Sequence, residues 1–332
     1  MTNNALLRVE HLKKYFPVRK GIFSSFASST KRSYVRAVDD ISFTLQEEEI
    51  LGFVGESGCG KSTMSRAILR LTEPTDGKVF FRDREIISLG KKAFKAYRAK
   101  MQMIFQDPFG SLNPRRTVAD TLYQTIKVHN LADSKPRVAS LIQKTLEEVE
   151  LKPADQFWDK FPALLSGGQL QRVSIGRVLV LQPSFVIADE SVSMLDVSVR
   201  IGILDLLERM RDKFGISFIY ITHDLVTARY ICDRIAIMYL GKIVEIGPTE
   251  EIVHNPRHPY TQALISAVPD PDPTAELPEL PIKGYVPMAL DEAFNGCKFY
   301  MRCPCSTNAC REQYPQMQEV GEGHQVSCFH WD

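Results

Sequence analysis

One short stretch limits this chain more than any other. Gly55-Glu-Ser-Gly-Cys-Gly-Lys61-Ser62-Thr63 fits the pattern G-x-x-x-x-G-K-S/T in full. It follows an apolar run, Ile50 to Val54, and precedes a segment carrying Ala67, Ile68 and Leu71 at helical spacing. A strand, a glycine-rich turn and a helix in that order make a phosphate-binding unit. Glycines let backbone N–H groups wrap an anion without Cβ clashes, and the following helix aims its N-terminus at it. Lys61 supplies a charge toward the outer phosphates and Ser62 a hydroxyl for Mg²⁺. The fold class that follows is α/β.

The rest of the chain suits that frame. Residues 6–12 and Val35 to Gln46 alternate like strands, and Ser184 to Asp189 and Ile216 to Thr222 read as short buried strands. Ser88 to Phe161 reads as mainly helical, with a stripe of Val138, Leu141, Ile142, Thr145, Leu146 and Val149. Val199 to Phe214 keeps helical spacing through Ile203, Leu207 and Met210, and residues 234–247 read as a hairpin turning near Gly241. Gly21 to Ser33 looks like an insertion and Pro269 to Pro281 like a Pro-rich acidic linker.

Acids stand where a phosphate enzyme needs them. Asp189 ends a buried strand, placed to reach the Mg²⁺ shell, and Glu190 beside it can orient or deprotonate an attacking water. His223 ends the next apolar run, placed to sense a γ-phosphate. Leu165-Ser-Gly-Gly-Gln169 reads as a second phosphate-binding turn, opening a helix expected over Gln171 to Leu179.

Charge and cysteine usage narrow the class. A net charge of +1 gives no global basic field, so nucleic acid is not the expected partner. No stretch nears the ~18 apolar residues of a membrane span, and Met1 to Glu10 lacks a secretory signal. The expectation is a cytosolic protein that meets a membrane through a partner. Of seven cysteines, five fall between Cys297 and Cys328, a crowding that reads as metal or cluster ligation in a reducing compartment.

With the phosphate loop, LSGGQ and the acid-ended strand in register, the chain resembles the ATPase subunits of ABC transporters from about residue 5 to 265. The resemblance implies a P-loop, RecA-like core with an antiparallel β subdomain and an inserted helical subdomain near residues 88–165. The nucleotide-binding domain would be residues 1–265, with a small Cys-rich extension at 266–332. It implies ATP and Mg²⁺ as cofactors. Gly55, Ser57, Gly58, Cys59, Gly60, Lys61, Ser62 and Thr63 would bind nucleotide, with Phe16, less favoured Tyr15, stacking on adenine. Gln106 would contact Mg²⁺ alongside Ser62 and Asp189 and face the membrane subunit. Ser166, Gly168, Gln169 and Asp196 would act on nucleotide across a dimer; Glu190 would be the base and His223 the switch. Ser191 stands where the family usually has Pro, Met194 where Ala is common, and Gly176 and Val178 where alanines are usual.

QDPFGSLNPR (Gln106 to Arg115) and NPRHPYTQALISAVP (Asn255 to Pro269) resemble the dipeptide/oligopeptide permease branch, F type. There a C-x5-C-x6-C spacing with a distant fourth Cys holds an iron–sulfur cluster, and Cys297, Cys303, Cys310 and Cys328 match it. Four thiolates suit a 4Fe–4S cluster or Zn²⁺, and Cys305 could replace Cys303. The resemblance implies a second ATPase subunit, favoured as a paralogue, two membrane permease subunits and an extracytoplasmic solute-binding protein. The chain would sit peripherally on the cytoplasmic face of the membrane. A weakly hydrolysing regulatory partner, or import of another solute such as a nickel chelate, are the alternatives. An ABC ATPase working without a transporter is a further rival, though tandem cassettes and long coiled coils are absent.

Overall fold

The computed structural model describes residues 5–18, 34–268, 282–284 and 294–332. The expected insertion and the Pro-rich linker fall outside these residues, apart from the linker's neighbours. The chain forms two compact units. One comprises Met1–Leu6, Leu45–Ile50 and Arg82–Ile221; the other Leu7–Thr44, Leu51–Phe81 and Thr222–Asp332.

The first unit is built on three parallel strands, Met101–Ile104, Phe185–Asp189 and Ser217–Thr222. Ile104 lies opposite Ala188, and Asp189 opposite Ile221. All five residues of Phe185–Asp189 are buried, which is why the strand reads as an apolar run ending in an acid. Met101–Ile104 is a strand inside the stretch expected to be helical. At four residues it is too short to show a period against its helical neighbours. Gly167–Leu179 packs on it, and Val118–His129 and Lys135–Glu148 pack on Gly167–Leu179 and on each other. Thr117 opens Val118–His129 with a reciprocal cap: its hydroxyl takes the Asp120 N–H while the Asp120 carboxylate takes its own.

In the second unit Ile50–Val54 runs parallel to Arg234–Tyr239, with Leu51 opposite Arg234 and Val54 opposite Ile237. Arg234–Tyr239 folds back antiparallel on Lys242–Pro248, as the hairpin reading required. A separate antiparallel pairing sets Ala5–Pro17 against Asp76–Phe81, with Val9 opposite Val79. The helix after the phosphate loop, Lys61–Ile68, is shorter than its apolar pattern suggested. Arg70 turns left-handed at φ 50° and Leu71 lies outside, 58% exposed.

The C-terminal residues carry strands with no clear sequence signal. Gln318–Gly321 and His324–Val326 form a hairpin, and the latter pairs with Lys242–Pro248, placing Val326 opposite Glu245. Glu245 is fully buried, so its carboxylate must be paired. It accepts the N–H groups of Arg257 and His258 at 2.7 and 2.9 Å and lies 2.7 Å from the His324 ring. One acid thus ties the hairpin to the turn before Pro259–Ser266.

Candidate active site

The phosphate loop has its glycines where a side chain would not fit. A Cβ on Gly55 would fall 2.2 Å from the Met238 carbonyl oxygen, and one on Gly60 2.0 Å from that of Ala37. Gly60 also holds φ 110°, in the region that only glycine enters freely. Lys61 is buried, and its ammonium donates to the carbonyls of Gly55 at 2.6 Å and Glu56 at 3.0 Å. These are weak acceptors that phosphate oxygens can replace with gain, because charge-assisted bonds are stronger. Ser62 and Thr63 are half-buried at the start of the helix, and Ser57 and Gly58 are exposed on the loop. Cys59 is buried, and that burial pushes its thiol up, so the position contributes backbone rather than a reactive sulfur.

The two aromatic candidates for the base are distinguished by their surroundings. Tyr15 donates its hydroxyl to Asp39 at 2.6 Å, and burial, followed by that carboxylate, holds the phenol well above its usual range. Phe16 is 40% exposed, with the Lys14 ammonium 5.0 Å from its ring. An exposed ring can stack on a base; a half-buried ring anchored through its hydroxyl is held in place.

In the first unit, Asp189 is buried at the end of its strand and the chain turns sharply at Glu190. Glu190 has φ 47°, a left-handed conformation costing a non-glycine residue about 1–2 kcal/mol. The strain is held by its N–H to the Ile221 carbonyl at 2.9 Å and by the Ser193 hydroxyl and N–H, both donating to its own carbonyl. Its carboxylate accepts a hydrogen bond from the Gln106 amide at 2.7 Å. Gln106 extends from the end of Met101–Ile104, so adjacent parallel strands bring the two together. Ser191 is buried, and among the described residues its hydroxyl has no hydrogen-bond partner.

Ser166 and Gln169 form a capping box. The Ser166 hydroxyl accepts the Gln169 N–H at 3.3 Å, and the Gln169 side-chain oxygen accepts the Ser166 N–H at 3.1 Å. The helix therefore begins at Gly167, four residues before its expected start at Gln171. Two consecutive glycines hid the start from a propensity reading. Gly168 is required by packing, since a Cβ there would meet the Val199 side chain at 2.4 Å. Asp196 is exposed just before Val197–Phe214 and makes no side-chain cap bond. His223 is exposed immediately after Ser217–Thr222.

The cysteines converge without forming a metal-ligating group. Cys297, Cys303, Cys310 and Cys328 line one cavity with His258, Phe299 and Pro315. Among the described residues, however, no three His, Cys, Asp or Glu side chains are gathered closely enough to hold a metal ion. Burial, reinforced by neighbouring sulfurs, pushes the Cys297 thiol up to about 12 and that of Cys328 up to about 11. Cys303 moves the same way, and Cys305 is exposed. Thiols so placed stay protonated unless a positive charge is brought to them.

The chain is similar to known proteins along its whole length. A model described as "ABC transporter" matches residues 38–193, and one described as "Oligopeptide/dipeptide transporter, C-terminal region" matches residues 244–310. The probable peptide ABC transporter ATP-binding protein y4tS of Sinorhizobium fredii is 42% identical over 98% of this chain and 90% of its own. The oligopeptide transport ATP-binding protein AppF of Bacillus subtilis is 40% identical over 97% of this chain and 96% of its own. The chain belongs to the ATP-binding proteins of ABC transporters. Among solved structures, a dimeric post-hydrolysis ATP-binding cassette bound to ADP and Pi superposes with a TM-score of 0.62 at 26% identity. That match covers 73% of this chain and 98% of the other.

As an ABC ATP-binding protein, the chain has the cassette fold of a P-loop ATPase and is an ATPase. The residues singled out by sequence divide between the units. Gly55 to Thr63, Phe16 and His223 belong to one; Gln106, Ser166, Gly168, Gln169, Asp189, Glu190 and Asp196 belong to the other. Within the first unit Gln106 meets Glu190 directly, and Ser166 meets Gln169. Sequence reading missed Asp39, which fixes Tyr15, and, though it placed Ser193 in the segment ending at Asp196, missed that Ser193 holds the Glu190 turn. No spacing rule connects Tyr15 with Asp39, 24 residues apart, whereas Ser193 stands three residues after Glu190, the spacing at which a Ser hydroxyl reaches back to a backbone carbonyl.

Proposed function

We propose that this ABC ATPase powers import of di- or oligopeptides through membrane permease subunits. The observation that carries the reading is the match of residues 244–310 to the oligopeptide/dipeptide C-terminal region, joined to a cassette in the same chain. Relatives named as peptide and oligopeptide transport ATP-binding proteins support it across nearly the full length. Gly55 to Thr63 bind the nucleotide phosphates, Phe16 stacks on the base, and Ser62, Gln106 and Asp189 serve Mg²⁺. Glu190, held by Gln106, orients the attacking water as general base, and His223 senses the γ-phosphate. Ser166, Gly168, Gln169 and Asp196 act on the nucleotide of a second ATPase subunit, a paralogue, with a solute-binding protein delivering the peptide. The chain works as a peripheral subunit at the cytoplasmic face of the membrane; among the described residues no helix is long and apolar enough to cross one.

The same reading assigns the cysteine-lined cavity of a small C-terminal extension to a 4Fe–4S cluster held by Cys297, Cys303, Cys310 and Cys328. Four thiols opening into one cavity support it. Zn²⁺ held by the same four thiols is the alternative, and for either group the sulfurs must draw closer together than they stand among the described residues. The cluster would supply the positive charge that lets these buried sulfurs ionise, bracing the extension. Purification under anaerobic conditions, with iron and acid-labile sulfide measured, tests this part. Co-purification tests the first: tagged chain should bring down two membrane subunits and a second ATPase, and recovery of none would contradict the transporter reading.

A further inference from the structure

The residue after the first glycine of the phosphate loop, Glu56, is held on three sides by groups far away in sequence. Its carboxylate receives both terminal nitrogens of Arg302, at 3.1 Å. Its N–H donates to the Tyr260 hydroxyl at 3.0 Å. Its carbonyl accepts from the Lys61 ammonium at 3.0 Å. Arg302 and Tyr260 are both buried, at 5% and 1% exposure, so neither bond is a loose surface contact. Around them Tyr239, Tyr260 and Phe299 pack ring against ring, with centroids 4.7 to 5.4 Å apart. The Arg302 guanidinium lies 5.8 Å from the rings of Tyr239 and Phe299.

Arg302 is anchored by the C-terminal segment itself. Its N–H and that of Cys303 both donate to the Phe299 carbonyl at 2.9 Å, forming the turn that carries two of the cavity's cysteines on either side. A bidentate guanidinium–carboxylate pair fixes direction as well as distance. Glu56 is therefore not free to choose its backbone orientation. Its carbonyl and that of Gly55 set where Lys61 points.

We propose that Arg302 and Tyr260 are positioning residues for the phosphate loop, so that the cysteine-bearing C-terminal segment sets the affinity for ATP. The inference rests on Gly55 to Thr63 being the phosphate cradle. Neither residue touches nucleotide; each acts through Glu56. Disturbing the segment loosens the loop and weakens binding, while the chemistry at Glu190 proceeds unchanged once nucleotide is bound.

The test uses the full chain, Mg²⁺ and a fluorescent ATP analogue. Tyr260→Phe removes one hydroxyl and keeps the ring packing. Arg302→Ala removes the ion pair, and Arg302→Lys keeps charge but loses the fork. Losing a buried charge-assisted pair should raise Kd about tenfold in Arg302→Ala, with Arg302→Lys between it and wild type. Tyr260→Phe should raise Kd by a smaller factor, about threefold. Turnover at saturating ATP, measured on the chain assembled with its partner subunits, should be unchanged in each. The exchange Glu56→Arg with Arg302→Glu should recover part of the affinity that either change alone loses. Unchanged Kd in Tyr260→Phe and Arg302→Ala would overturn the proposal; if Arg302→Ala does not fold, Tyr260→Phe and Glu56→Gln decide it in the same way. A Lys61→Ala chain that still binds the analogue normally would instead overturn the cradle reading, and the positioning role with it.

Discussion

Two glycines in one helix should answer the same substitution in opposite ways. Gly168 and Gly176 both lie in Gly167–Leu179. Replacing helical glycine by alanine gains up to ~1 kcal/mol from backbone entropy and propensity. At Gly176 the new methyl would lie 3.4 Å from the Thr145 methyl and 3.6 Å from the Val149 side chain, which is ordinary contact. Most of the gain should survive, so Gly176→Ala should stabilise by about 0.5–1 kcal/mol. At Gly168 the methyl would lie 2.4 Å from a Val199 methyl, with further Val199 carbons at 3.7 and 3.9 Å. That is overpacking, which costs about 1–3 kcal/mol and exceeds the small propensity gain near a helix start. Urea unfolding of the two variants beside wild type should move the midpoint up for Gly176→Ala and down for Gly168→Ala. The cause can be isolated. Val199→Ala in the Gly168→Ala background removes the clashing methyl, so the double variant should be more stable than the sum of the two single changes by about 1 kcal/mol or more. Equal shifts in the two glycine variants, or strict additivity with Val199→Ala, would refute this packing argument.

Other changes test the site. Phe16→Ala should raise the KM for ATP about tenfold through lost stacking on the base, whereas Tyr15→Phe should act on stability, by deleting a bond to Asp39, and leave KM nearly unchanged. The reverse ranking in a coupled-enzyme ATPase assay would reassign the adenine contact. Ser191→Ala should be neutral or stabilising by about 1 kcal/mol, because it removes a buried hydroxyl that lacks a partner among the described residues. A loss of stability in thermal unfolding would show that the hydroxyl is bonded.

What could be read from sequence was what depends on local pattern. The glycine-rich loop declared its strand and helix because the phosphate geometry fixes residue types at fixed offsets. The strands Phe185–Asp189 and Ser217–Thr222 were legible because burial on both faces leaves runs that are apolar except at their ends. The short strand Met101–Ile104 was hidden among helices, and the helix start at Gly167 was masked by two glycines whose role is packing and capping. The C-terminal hairpin escaped because it is stabilised by a distant strand and by buried Glu245, 79 residues from its His324 partner. The Glu56 clamp escaped for the same reason: Arg302 lies 246 residues away. Contacts of that separation leave no periodicity in a single chain.

The most direct test of the central claim is ATP turnover by the chain assembled with its membrane subunits, measured with and without peptide-loaded binding protein, for wild type and Glu190→Gln. The account predicts peptide-stimulated turnover in wild type and a loss of about a hundredfold or more in the variant, as removal of a general base requires. The variant should still bind ATP. Turnover by Glu190→Gln at the wild-type rate would contradict the account.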